Sequence, residues 1–243
     1  MRILIVNPNT TVSMTEKAAV AARAVAAPGT VILTATSRMG PASIEGHYDG
    51  AIALPGLLAE IRQGEAEGAD AAIIACFDDT GLEAARTLAN IPVIGICEAG
   101  LMTAALLSQR FTVVTTLERS RVLIENLAIR YGMAGRAKVR AADIPVLELE
   151  DAASGAIDKL RRQIEKALSQ DGAEAIVLGC AGMTDLARAL QDEYGVPVVD
   201  GVSAAVKQAE ALVSQNLKTS KRGSYATPVT KAYSGLMDIF APT

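Results

Sequence analysis

Short runs of β-branched and small apolar residues recur along the chain, separated by longer, alanine-rich stretches. The runs cover Ile3 to Val6, Val31 to Ala35, Ala72 to Ala75, Val93 to Ile96, Thr112 to Val114, Ala175 to Leu178 and Val196 to Val199. This alternation predicts parallel strands joined by crossover helices, an α/β fold. Ser13-Met-Thr-Glu16 and Thr80-Gly-Leu-Glu83 fit the capping-box pattern and predict helix starts. The stretch Ala18 to Ala27 predicts a tightly packed helix, since alanine is the best helix former.

The pattern is duplicated. Ala71-Ala-Ile-Ile-Ala-Cys76 and Ala175-Ile-Val-Leu-Gly-Cys180 each end a buried run in a cysteine, and each is followed by an apolar run around a proline, Pro92 or Pro197. Arg2-Ile-Leu-Ile-Val-Asn7 is matched in the same way by Arg110-Phe-Thr-Val-Val-Thr115. Two pseudo-symmetric lobes follow, each with a central, mainly parallel sheet flanked by helices, and with the active site in the cleft between them. The expected division is residues 1–98 plus 211–243 for the first lobe and 99–210 for the second. The tail from residue 215 lacks helical periodicity yet carries Tyr225, Tyr233, Leu236, Met237, Ile239 and Phe240. It is expected to dock on the first lobe or on a neighbouring subunit, which makes a homo-oligomer the expected assembly.

Composition narrows the function. The 243 residues are half apolar, enough for a substantial core, and the formal charge of -4 comes without a basic stripe or interleaved aromatics. No nucleic-acid partner is expected, and a small-molecule partner is. The first apolar run is too short for a signal peptide and no stretch is long enough to span a bilayer, so no membrane association is expected. Three cysteines point to a reducing, cytoplasmic setting with free thiols. A single histidine, His47, leaves no Cys/His cluster and no metal site is expected.

Cys76 and Cys180 are the candidate catalytic residues. Ligands of parallel α/β sheets collect beyond the carboxyl ends of the strands, where helix starts offer unpaired N–H groups. A thiol there is expected to have its pKa lowered by the following helix. The plain alternative for either cysteine is space-filling, since free cysteine is among the most buried residue types. Repetition at equivalent positions weighs against it. Cys97 has no such partner, because its counterpart is Val202, and it is expected to be structural. Two thiols facing one cleft suit proton exchange at a single carbon.

Asn7-Pro-Asn-Thr-Thr11, Ala75-Cys76-Phe-Asp-Asp79, Val113-Val-Thr-Thr116, Gly179-Cys180-Ala-Gly-Met183 and Asp200-Gly-Val-Ser203 together resemble the aspartate/glutamate racemase superfamily, and within it the hydantoin racemases. The likeness covers nearly the whole chain. It implies a cofactor-independent racemase with one cysteine from each lobe flanking the stereocentre of its substrate. Amino-acid racemases of the superfamily typically follow their cysteines with Asn-Thr and Thr-His, which hold a free carboxylate and amine. Phe77-Asp78 and Ala181-Gly182 replace them here, so a neutral cyclic ureide is the expected substrate. The expected reaction is inversion at C5 of a 5-monosubstituted hydantoin by two-base proton transfer.

Asp78 and Asp79 are expected to accept from ring N–H groups. Backbone N–H groups near Asp79 and at Gly182 and Met183 are expected to hold the carbonyl. Asn9, Thr115 and Thr116 are expected rim contacts, Phe77 and Ala181 substrate contacts beside the thiols, and Met39 and Ile44 the pocket for the C5 substituent. For the acidic and Asn/Thr positions capping or turn chemistry is the plain alternative. Competing functions are an allantoin racemase, an amino-acid racemase, an arylmalonate decarboxylase and, from another class, a two-lobed ligand-binding protein, in which both thiols would be buried and unreactive.

Overall fold

A computed structural model describes residues 1–151 and 153–242. The first half runs β1 (Arg2–Asn7), α1 (Val12–Val25), β2 (Val31–Thr36), α2 (His47–Ala66), β3 (Ala71–Ile74), α3 (Leu82–Leu88), β4 (Val93–Gly95) and α4 (Ile96–Leu107). The second runs β5 (Phe111–Thr115), α5 (Glu118–Arg130), β6 (Ala137–Ala141), α6 (Ala156–Lys166), β7 (Ala175–Gly179), α7 (Ala187–Tyr194), β8 (Val198–Asp200) and α8 (Gly201–Ser214). Short 3-10 turns cover Val146–Glu150 and Ala181–Leu186.

The strands form two parallel four-stranded sheets, ordered β2-β1-β3-β4 and β6-β5-β7-β8. The orders match strand for strand, so β3 and β7, which lead into Cys76 and Cys180, hold the same place in their sheets. Register also matches: Ile3 pairs with Ala71 and Ala72 with Val93, as Phe111 pairs with Ala175 and Ile176 with Val198.

Side-chain alternation along the strands explains how two sheets make one molecule. Ile3, Ile5, Ala71 and Ile73 of the first sheet share a central core with Phe111, Val113, Ala175 and Val177 of the second, and with α4 and α8. Leu4, Val6, Ala72 and Ile74 face a separate core outside the first sheet, and Val114, Ile176 and Leu178 one outside the second. Close approach at the centre depends on glycine: a Cβ at Gly201, the first residue of α8, would collide with the Ile96 carbonyl oxygen, and one at Gly100 would meet Val177 Cγ1 at 3.1 Å.

Several local expectations change. The eighth strand, β6, was not among the apolar runs because its middle carries Lys138 and Arg140; it is an edge strand, and both cations reach Asp171, at 3.3 and 2.5 Å. Neither capping box forms. α1 begins at Val12, so Ser13 lies inside its first turn with Thr11 as the residue before it, and α3 starts after Gly81 at φ 69° while the Thr80 hydroxyl turns to the Asp78 carboxylate. The Thr80 hydroxyl serves the loop after Cys76 instead of the helix end.

The tail lies against α3 as far as residue 225. Thr219 bonds Asn90 O and Ile91 O, Lys221 Nζ donates to Arg86 O and Thr87 O, and the Tyr225 hydroxyl reaches Glu83 at 2.6 Å. Beyond it Leu236 and Ile239 are exposed. Among the described residues no helix is long and apolar enough to cross a membrane.

Candidate active site

Four loops leave the carboxyl ends of the two central strands of each sheet and meet around one cavity. After β1, the Asn7 carboxamide donates to Asn9 Oδ1 (2.8 Å), Thr11 O (3.0 Å) and Thr15 Oγ1 (3.1 Å) and accepts from Asn9 N (3.2 Å). Asn9 Oδ1 also accepts from Thr11 N at 2.9 Å, which leaves Asn9 Nδ2 with the Met14 sulfur at 3.3 Å. This loop is pinned to the segment carrying Ile44 by Thr10 N to Pro41 O, 3.0 Å. After β3, Ala75 N still bonds Val6 O, and Cys76 is the first residue beyond the ladder.

In the second lobe Thr115 Oγ1 donates to Gly179 O at 3.1 Å, tying β5 to β7. Thr116 is 3% exposed and its hydroxyl has no hydrogen-bond partner among the described residues. Cys180 accepts from Gly182 N at 3.4 Å as the chain enters a 3-10 turn. A Cβ on Gly182 would lie 3.6 Å from Cys180 Sγ and press on Leu149 Cδ1 at 3.0 Å.

The cavity has a volume of about 60 Å³ and is lined by both cysteines. Asn7, Asn9, Asp78, Thr115, Thr116 and Ser120 supply its polar wall. Met14, Ile44, Phe77, Ile124 and Val146 supply the apolar wall, and backbone at Ala75, Gly179, Ala181 and Gly182 completes it. Its volume is well below the roughly 300–1,000 Å³ of drug-sized pockets, and both thiols in its wall are half-buried. Glu45 bridges its two sides, since its carboxylate accepts from Val146 N at 3.3 Å beside Ile44.

Both thiols are pushed up, not down. Burial raises Cys76 well above its ordinary value, and the adjacent Asp78 carboxylate adds to this by charge and by hydrogen bonding; the Thr80 hydroxyl and Asp78 N–H pull the other way. Burial also raises Cys180, to about 11, against the opposing pull of Gly182 N–H and the Lys17 ammonium. Lys17 is held across the lobes by Asp185 at 3.3 Å. The helix-start effect expected from sequence is present at Cys180 as the Gly182 N–H, but the desolvation of a half-buried thiol outweighs it. Cys97 is fully buried in the central core.

Three expected contacts do not line the cavity. Met39 is 43% exposed, its loop turned by Ser37 Oγ donating to Met39 O, so only Ile44 of the proposed pair reaches the wall. Asp79 points the other way, its φ of 48° turning the carboxylate toward the start of α4, where it accepts from Cys97 N, Glu98 N and the Tyr131 hydroxyl. Met183 is buried in the outer core of the second sheet. The backbone N–H groups of Asp79 and Met183 are spent on the carbonyls of Cys76 and Cys180, so they are not available to a substrate.

Sequence reading missed Asn7, Met14, Ser120, Ile124 and Val146. The first was within sight, as the strand-end partner of Thr115. The others face the cavity from helices or a 3-10 turn whose orientation no local pattern reveals. Among the described residues no group of three or more His, Cys, Asp and Glu side chains could hold a metal ion.

A sequence model of the Asp/Glu/hydantoin racemase family matches residues 3–209. The chain belongs to that family. A hydantoin racemase from Rhizobium meliloti is 52% identical over 236 residues, covering 97% of this chain and 98% of the relative. One from Pseudomonas sp. strain NS671 is 44% identical over 241 residues, covering 99% and 97%. Among solved structures, an allantoin racemase from Klebsiella pneumoniae superposes with a TM-score of 0.96 at 49% identity, covering 100% of both chains. The protein is therefore an enzyme of the racemase family, with the two-lobed α/β fold of its relatives.

Proposed function

We propose that the enzyme inverts C5 of 5-monosubstituted hydantoins by proton transfer between Cys76 and Cys180. The observation that carries this reading is their placement: equivalent strand ends of two matched sheets deliver one thiol each to a single cavity. A buried pair that only filled space would not need a polar wall with unspent donors between its members.

The surroundings make the thiols unequal. Cys180 has a backbone donor and the Lys17 ammonium, whereas Cys76 has the Asp78 carboxylate, so Cys180 ionises first. Its thiolate takes the C5 proton from one face, and the C–H electron pair moves toward the C4 carbonyl oxygen. The Cys76 thiol then delivers its proton to the opposite face as the carbonyl re-forms, leaving Cys180 a thiol and Cys76 a thiolate. The other enantiomer is converted with the roles exchanged, and ionising both thiols at once is opposed by their shared cavity. Asn9 Nδ2 and the Thr116 hydroxyl are the donors for the developing oxyanion, which preorganised groups stabilise strongly. The Asp78 carboxylate, on the Cys76 side, accepts from a ring N–H.

Allantoin, a hydantoin with a ureido arm at C5, is the second substrate reading, favoured by the likeness to an allantoin racemase along the whole chain. The same carbon acid and thiols serve both. Polarimetry of single enantiomers of 5-benzylhydantoin and of allantoin tests the assignment. Loss of rotation is expected with wild type on at least one of them, and neither Cys76→Ser nor Cys180→Ser should retain it. Full racemisation by both serine variants would remove the two-thiol mechanism.

A further inference from the structure

Asn7 closes β1 at 2% exposure, and although it borders the cavity its carboxamide is fully engaged by the protein. Three acceptors share its two N–H hydrogens, and its oxygen accepts from Asn9 N at 3.2 Å. Two of these partners are backbone groups of fixed polarity. Thr11 O only accepts and Asn9 N only donates, so the Asn7 amide has one orientation.

That orientation, together with the Thr11 N–H, sets the next one. Asn7 Nδ2 at 2.8 Å and Thr11 N at 2.9 Å both donate to Asn9 Oδ1, which puts the Asn9 amino group on the opposite side. Its partner there is the Met14 sulfur at 3.3 Å, a weak acceptor that leaves donor capacity over. Asn9 is 7% exposed and lines the cavity. Without this network a carboxamide has two orientations of nearly equal shape, one presenting an acceptor and the other a donor.

We propose that Asn7 is a positioning residue that locks Asn9 with its amino group toward the substrate, so that this wall selects a ring carbonyl oxygen and rejects a ring N–H. The proposal rests on the cyclic-ureide reading of the substrate. It accounts for an amide buried at the end of a strand, where an apolar side chain would be cheaper to bury. In the transition state the locked amide needs no reorganisation as charge collects on the oxygen, which is where a fixed donor contributes most.

The decisive variant is Asn7→Asp, nearly isosteric, which sets an oxygen against Asn9 Oδ1 and Thr11 O and so leaves Thr11 N–H alone to hold the Asn9 amide, against this repulsion. It is compared with Asn9→Ala and with the double variant, each checked for folding by thermal unfolding. Losing one oxyanion donor typically lowers turnover by about 10²–10³-fold, so Asn7→Asp is expected to lower kcat at least tenfold while KM changes little. Because Asn7 acts through Asn9, adding Asn7→Asp to Asn9→Ala should change kcat less than twofold. Wild-type kcat in Asn7→Asp, or an equal loss in both backgrounds, would overturn the proposal. Wild-type enzyme inactive on both 5-benzylhydantoin and allantoin would overturn the substrate reading and this selection with it.

Discussion

Cys76 and Cys180 hold equivalent positions in unequal surroundings, and the inequality is chemical. Burial raises both thiols, but Asp78 stands beside one and Lys17 with the Gly182 N–H beside the other. In the empty enzyme both are therefore protonated at neutral pH, and ionisation rises with pH, Cys180 first. Alkylation by iodoacetamide, which requires thiolate, should be slow near neutrality, accelerate toward the Cys180 value of about 11, and label Cys180 ahead of Cys76. Peptide mass mapping reads the order, and Cys76 modified first would contradict it. The pair itself was legible in the sequence because duplication marked both members. The direction of their pKa shift was not, since local sequence shows the helix start beside a thiol but not the walls that desolvate it.

At the scale of elements, the loop that presents Cys76 is anchored from behind. Asp79 caps α4 through Cys97 N and Glu98 N, both at 2.9 Å, and accepts from Tyr131 at the end of α5 at 2.7 Å, so one carboxylate joins the first-lobe loop to a second-lobe helix. Burial raises its pKa to about 7, with these three donors restraining the rise. Since the unfolded value is 3.8, the folded state binds the proton more tightly; this contribution to stability is complete below 3.8 and is lost as pH rises to about 7. The Tyr131 hydroxyl favours the ionised form, so Tyr131→Phe should cost roughly 2 kcal/mol above that pH and less below it. Urea unfolding at two pH values checks this, and a penalty larger on the acid side would contradict it. None of this was legible: Asp79 looks like a ligand group beside Cys76, and only its positive φ turns it away. The missed strand β6 and the unformed capping box at Thr80 have the same origin, since charge on an edge strand and a hydroxyl recruited by its own loop override the local pattern.

For the whole molecule, the fold was readable because strands buried on both faces leave continuous apolar runs, and because those runs occur twice in the same order. What the pattern did not carry is how the halves join. They share one core, with α8 packed against α4 and the first residue of α8 set against the carbonyl of Ile96. Gly201→Ala should therefore force the two helices apart and destabilise the protein by about 1–3 kcal/mol, the usual cost of overpacking; unchanged thermal stability would show that this approach is not tight. The same junction sets the geometry of the cleft, because α4 leaves the first sheet beside Asp79 and α8 leaves the second beside Asp200.

The central claim is that two thiols on opposite faces exchange one proton for another. The most direct test follows a single enantiomer of the substrate in heavy water by mass spectrometry and chiral separation, before the reaction has gone far. Two-base transfer predicts that the product enantiomer carries deuterium at C5 from the first turnovers while the remaining substrate stays unlabelled. Product that keeps the original proton, or substrate labelled ahead of inversion, would show a single base serving both faces and would contradict the account.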